Sequence, residues 1–230
     1  MAKQLVKRDR LPLPVRIINV ALLIFVVVLM GLPMLNVLAV SFSTQAKSDT
    51  PGLVLWPSPA TVQGYTFIWN HVRFAVPFFN TIYVSIVGTV LHVLMASLAG
   101  YVLSQPQLPG RKVLTTFILL TMTIPYELTM IGIYAVNRDL HLTNTYTGLI
   151  INGMISGFSV LLMRNYFMGI PRSLAESARI DGAGEIRIFR SISLRLSISA
   201  LMTIGTLELI RRWNNITMTV TLISDMKKWT

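Results

Sequence analysis

Charged residues are spaced so unevenly along the chain that its elements can be read from the gaps. Thirty consecutive residues between Arg16 and Lys47 carry no charge, thirty-seven between Arg73 and Arg111, and twenty-four between Asp139 and Arg164. A hydrocarbon core of roughly 30 Å takes about 20 mainly apolar helical residues to cross. The pattern therefore predicts five membrane spans, near residues 17–42, 77–103, 113–135, 147–168 and 195–222. The first follows a basic head of Lys3, Lys7, Arg8, Arg10 and Arg16. Its apolar run is about twice the 7–15 residues of a signal-peptide core, which predicts a retained anchor.

Between the spans the chain changes character. Residues 44–76 hold Pro51, Gly52, Trp56, Pro57, Pro59, Tyr65 and Trp69, which predicts an outer loop of turns and interfacial aromatics. Residues 104–112 form a short inner turn closed by Pro109 and Gly110, and residues 136–146 a short outer connection. With the N-terminus inside, thirteen Lys and Arg fall on inner segments and seven on outer ones, which fits the positive-inside tendency.

Composition narrows the class. Of 230 residues, 53% are hydrophobic and 13% charged, against roughly a quarter charged in a globular chain. A water-soluble enzyme is excluded. The formal charge of +11 would suit nucleic acid, but the bases stand at the ends of apolar segments and point to membrane lipid instead. Without cysteine there is no disulfide framework, thiolate metal site or Cys nucleophile, and three scattered histidines do not suggest a metal centre. Asp139 and His141, one carboxylate and one imidazole in an outer loop, read as solvated side chains. No G-x-x-x-x-G-K-[ST] phosphate loop occurs, so ATP chemistry has to come from a partner, and neither a catalytic residue nor a directly bound cofactor is expected.

His92, Glu127, Glu208, Arg211 and Arg212 fall well inside spans, where ionisable groups mark functional sites by default. By rise per residue, His92 and Glu127 lie about 16 and 21 Å from the inner ends of their spans and can share one water-filled level. Glu208, Arg211 and Arg212 stand in the fifth span, and an intramembrane charge costs about 2.5–3.5 kcal/mol. Glu208 and Arg212 are spaced i, i+4 and are expected to pair, leaving Arg211 to find a cavity or to snorkel. The candidate translocation path is therefore His92, Glu127, Glu208, Arg212, Trp213 and Asn214. His92 with Glu127 also carries the runner-up reading, a proton-coupled secondary carrier.

The inner loop between the fourth and fifth spans differs from the rest in being long, charged and helix-forming. Ser173 followed by Glu176 reads as a capping box, so a short helix is expected just after Pro171. Gly182 interrupts it, and a second amphipathic turn follows with Ile186, Ile188 and Phe189 apolar. Two short helices meeting at a glycine make a projection that a partner can grip; physics alone equally allows a helix pair lying on anionic lipid.

Here the residues resemble a family. Glu176, Ser177 and Ala178, then Gly182, then Ile192 and Leu194, with Asp181 and Ala183 in the phrase ARIDGA, resemble the EAA loop of the permease subunits of binding-protein-dependent ABC importers, and within them the carbohydrate-uptake class that includes maltose and glycerol-phosphate permeases. The likeness covers roughly residues 55–230 and includes Asn80–Thr81, the LPGR turn, Ile124–Pro125, the run from Leu142 to Leu149, the MRNYF run from Met163, and Trp213–Asn214. It implies an all-α, polytopic type I importer permease fold in the cell inner membrane, with 1–76 as basic tail, first span and outer loop, and 77–230 as transmembrane domain with coupling loop 169–195. It further implies a second permease, an ATP-binding subunit dimer that supplies ATP and Mg, an extracytoplasmic substrate-binding protein, and a sugar, polyol or glycerol derivative as substrate; no nucleic acid enters.

Against the family pattern, Ser177 replaces an alanine. Arg195 and Ser199 stand where prolines are usual, which predicts a straighter approach to the fifth span. The family expects six spans and five are read here, which predicts a C-terminally truncated or fragmentary permease.

Overall fold

Helix breakers set where each element stops. The computed structural model describes residues 12–71 and 74–230, and the chain divides into two units, Met1–Phe74 and Ala75–Thr230. Lys3, Lys7, Arg8, Arg10 and Arg73, used in the charge count, lie outside the described residues. All regular elements among the described residues are helical.

In the first unit, α1 (Leu13–Ser41) starts behind Pro12 and carries Pro14 in its first turn, where a missing N–H leaves no bond unmade. Ala39 is its one buried residue, so its apolar side chains face outward all round, as lipid requires. The loop beyond it forms α2 (Gln45–Ser48) and α3 (Gln63–His71). It folds back on the end of α1: Tyr65 donates its hydroxyl hydrogen to Ser41 Oγ at 2.9 Å, and Asn36 Nδ2 donates to the Val54 carbonyl at 3.1 Å.

The second unit is built on α4 (Ala75–Ser104). After it come α5 (Arg111–Thr121), α6 (Tyr126–Asp139), α7 (Tyr146–Ile151), α8 (Gly157–Met168), α9 (Arg172–Ile180), α10 (Glu185–Ile188), a π turn over Phe189–Ser193, α11 (Leu194–Leu196), α12 (Ile198–Trp213) and α13 (Ile216–Leu222). Helices α8 and α12 pack along α4. One apolar cluster joins Ala96, Leu103, Val160, Met163, Phe167, Ala200 and Ile204; a second joins Val84, Leu149, Ile150, Met218, Leu222 and Ile223. Lipid tails are as apolar as these side chains, so close fit and dispersion hold the clusters together more than transfer from water does.

Along α4 the two clusters leave a gap at Gly88 and His92. Along α12 the buried residues are Ala200, Ile204, Glu208 and Arg212, a strict i, i+4 stripe. Its apolar half meets the first cluster and its charged half falls in the gap. Glu208 and Arg212 thus face the interior of the unit.

Continuity of the spans differs from the sequence expectation. Two described helices, α1 and α4, are each long and apolar enough to cross a membrane, and up to four spans result if each of two bent pairs counts as one. The third expected span breaks into α5 and α6 with a 99° bend. Pro125 caps α6, and a proline both lacks the N–H a continuing helix needs and drives the preceding residue to extended backbone. The fourth splits into α7 and α8 at 152–156, where Ser156 caps α8 by accepting from the Ser159 N–H at 3.2 Å. The fifth splits at Asn214–Asn215, where Asn215 caps α13.

The approach to α12 is bent by 78°, against the straighter path expected without prolines. A π turn followed by a break in helical geometry at Ser197, with φ −105° and ψ 21°, makes the bend. At the far end, residues after α13 lie across α4, where Asn80 Nδ2 donates to the carbonyls of Lys227 and Trp229 at 3.1 and 3.0 Å.

Candidate functional site

Two groups of polar residues stand out in the second unit: the cluster in the gap between the apolar cores, and the loop joining α8 to α12.

Glu208 is the centre of the first. Its Oε1 accepts from Arg212 Nε at 2.6 Å and from Arg211 Nη2 at 2.6 Å, and its Oε2 accepts from Arg211 Nε at 2.7 Å. The sequence expectation paired Glu208 with Arg212, as the structure has it, and left Arg211 to find a cavity or to snorkel; Arg211 also reaches the same carboxylate, because i, i+3 lies on the same helix face as i, i+4. Arg212 spends its two terminal nitrogens on the carbonyls of Leu149 and Ile150, both at 3.2 Å, at the end of α7 where helix carbonyls lack intrahelical partners. Gly88 on α4 makes room for this guanidinium: any Cβ there would collide with Arg212 Nη1, Cζ and Nε.

His92 joins from α4. Its Nδ1 lies 2.9 Å from the Gly153 carbonyl and its Nε2 2.8 Å from Ser159 Oγ. A carbonyl oxygen only accepts, so Nδ1 carries the hydrogen. Nε2 then accepts from the Ser159 hydroxyl, whose oxygen in turn accepts from Ser156 Oγ at 3.0 Å. The acidic neighbour of His92 is Glu208, at 3.7 Å from Nδ1.

Glu127 does not join His92, as the sequence expectation had placed it. It is exposed in the first turn of α6, because the break at Pro125 turns that helix away from the line of α5. It lines an open cavity of about 840 Å³ together with Tyr126, Ser156, Glu208, Arg211, Asn214 and Asn215. Trp213 is exposed and meets Phe78 edge-on, with ring centroids 6.0 Å apart. Of the candidate path residues, Glu127, Glu208 and Asn214 reach the cavity, while His92 and Arg212 stand behind its wall. Arg211 was not among the candidates and is the cation that lines it, with its side chain 44% exposed.

In the second group, α9 starts just after Pro171 as expected, but no capping box forms. Pro171 is the cap, Ser173 already lies within the helix, and no side chain caps the first turn. The end of α9 is a Schellman turn: Gly182 N–H donates to the Arg179 carbonyl at 3.0 Å and Ala183 N–H to the Ala178 carbonyl at 2.9 Å. Gly182 has φ +80°, which a side chain would strain, and this is why glycine stands there.

Arg179 Nε donates to Glu185 Oε1 at 2.7 Å, and the Tyr101 hydroxyl donates to Glu185 Oε2 at 2.9 Å, so one carboxylate fastens α9, α10 and the end of α4. The hydrogen bond to that carboxylate raises the Arg179 guanidinium above its ordinary range, so the pair stays ionised. Glu176, Ser177, Asp181 and Gly182 are exposed, Ala178, Ala183, Ile192 and Leu194 are half-buried, and Ile188 is fully buried. Ile180 and Ile186 are 86% and 83% exposed at the tip of the loop. Sequence spacing pointed to the loop; it carried no signal for the Tyr101–Glu185–Arg179 contact, whose members are up to 84 residues apart.

Residues 92–228 match the family of binding-protein-dependent transport system inner membrane components. The chain is 31% identical over 198 residues to the polygalacturonan/rhamnogalacturonan transport system permease protein YtcP of Bacillus subtilis, covering 86% of this chain and 68% of that one. It is 31% identical over 194 residues to the arabinooligosaccharides transport system permease protein AraQ of Halalkalibacterium halodurans, covering 83% and 70%. It is 30% identical over 198 residues to the sn-glycerol-3-phosphate transport system permease protein UgpE of Yersinia enterocolitica, covering 82% and 70%. Among solved structures it resembles a chain of a bacterial ABC transporter involved in the import of the acidic polysaccharide alginate, with a TM-score of 0.85 and 30% identity over 92% of this chain and 75% of that one.

Proposed function

Because the chain belongs to the family of binding-protein-dependent transport system inner membrane components, we propose that it is one permease subunit of an ATP-driven importer, multi-pass in a bacterial-type inner membrane with its N-terminus on the cytoplasmic side. The relatives named for oligosaccharides and for glycerol-3-phosphate support a sugar, or a related polyol or glycerol derivative, as its substrate. A second permease completes the path, two copies of an ATP-binding subunit hydrolyse ATP with magnesium, and an extracytoplasmic binding protein delivers the substrate.

The observation that carries the reading is the loop from Arg172 to Leu196. It puts two isoleucines, Ile180 and Ile186, almost fully into the open while it roots Ile188 and Ser193 in the core of the unit. An exposed apolar tip on a rooted base is a docking element. The ATP-binding subunit takes the tip, with Glu176, Ser177 and Asp181 as polar flanks and the small Ala178 and Ala183 allowing close approach. Gly182 fixes the angle between the arms. Ile192 and Leu194 tie the loop to the helices, so that closure of the ATPase arrives as a rigid-body displacement. Glu127, Glu208 and Asn214 line the path, and His92, Arg212 and Trp213 support it.

The reading is tested by placing a photo-cross-linking amino acid at Ile186 or Ile180 in the assembled transporter. An adduct with the ATP-binding subunit is expected from both positions. Adducts with lipid alone would contradict the docking and favour a helix pair lying on the membrane surface.

A further inference from the structure

The charges around the cavity add up to nothing. Glu127 and Arg211 line it, Glu208 forms part of its wall, and Arg212 is tied in behind Glu208, which gives two negative and two positive groups. His92 turns its ring nitrogens to Gly153 and Ser159 and does not line the cavity. The inner part of the arrangement is held by the chain itself. Glu208 accepts three N–H bonds and Arg212 gives one N–H from each terminal nitrogen to a carbonyl, which fixes both groups in place.

What remains open toward the cavity is hydrogen-bonding capacity of both kinds. Arg211 Nη1 has no partner among the described residues, and the Glu127 carboxylate has no hydrogen bond or ion pair there. Asn214 uses its Nδ2 on the Ile210 carbonyl and keeps its amide oxygen. The Tyr126 ring lines the same space. Donor, acceptor and ring in a volume of about 840 Å³ suit a molecule of hydroxyl groups on an apolar frame. A charged ligand would add an uncompensated charge beside the buried Glu208–Arg212 pair, and that is costly.

We propose that this cavity binds an uncharged polyhydroxylated ligand of mono- to disaccharide size, with Arg211 as its principal donor and Glu127 as its acceptor, and that it discriminates against uronates. The inference rests on the importer reading for its place in transport, and specifies which sugars the permease itself accepts. Arg211 is the specificity-determining residue, while Glu208 is a positioning residue that holds the guanidinium by its Nε and Nη2 edge and turns Nη1 outward.

The test is equilibrium dialysis of the purified permease–ATPase complex, without the binding protein, against labelled galactobiose, arabinobiose and diacetylchitobiose, and against digalacturonate as the charged counterpart of galactobiose. Retention of at least one neutral disaccharide is expected, with digalacturonate at least tenfold weaker than galactobiose. Arg211→Gln is expected to weaken the neutral ligand about tenfold. Glu127→Gln, at an exposed position that folding does not depend on, leaves a net positive cavity and is expected to narrow the gap to digalacturonate. Retention of no neutral disaccharide, equal or tighter retention of digalacturonate, or no change with either variant overturns the proposal. ATP-driven uptake by the reconstituted complex is measured in parallel. Binding without such uptake contradicts the importer reading and leaves the site standing; uptake with the charge preference reversed does the opposite.

Discussion

Glu208 decides whether two guanidinium groups can stay inside the unit. It is 4% exposed, and Arg212 has no other carboxylate partner among the described residues. Removing one partner of a buried pair leaves an uncompensated charge, at a cost of about 3–5 kcal/mol. Glu208→Ala is therefore expected to destabilise the detergent-solubilised chain by that order in a denaturation series, whereas Arg211→Ala, at a half-exposed side chain, is expected to cost no more than about 1 kcal/mol. Equal costs would show that the carboxylate does not organise the cluster. At this scale the sequence is partly legible. The i, i+4 spacing of Glu208 and Arg212 can be read directly, but the acceptors that complete the site are carbonyls of Leu149, Ile150 and Gly153, and main-chain atoms leave no mark in composition. His92 was paired by depth with Glu127, and depth ignores which way a broken helix turns.

Elements were legible in kind and misjudged in length. A hydropathy window runs smoothly across Pro125, Asn152–Gly153 and Asn214–Asn215, yet each is a breaker that the chain obeys, since a proline lacks its N–H and an asparagine side chain competes for the helix's own bonds. The bend before α12 came without proline, because a π turn and Ser197 supply it instead. Within the loop, the contact of Arg179 with Glu185 gives a test of whether α9 and α10 act as one body. Arg179→Glu and Glu185→Arg are each expected to reduce uptake severalfold at unchanged membrane insertion. The double exchange, which restores opposite charges, is expected to recover most of it, and failure to recover would assign the single losses to other contacts.

For the whole molecule, uneven charge spacing was enough to give a helical membrane protein, and the spacing from Glu176 to Leu194 was enough to give its family, which the match over residues 92–228 bears out. The likeness to a solved importer chain at a TM-score of 0.85 bears out the fold. On the proposed function, work done in the ATPase reaches the membrane through the loop beyond Pro171. The measurement that tests this is substrate-stimulated ATP hydrolysis and uptake by the reconstituted complex carrying Gly182→Pro, which cannot adopt the φ of +80° that closes α9, or Glu176→Lys, which reverses an exposed charge on the proposed docking face. Loss of substrate stimulation and of uptake, with the permease still inserted in the membrane, is the predicted result; stimulation and uptake at the unsubstituted level in both variants would contradict it.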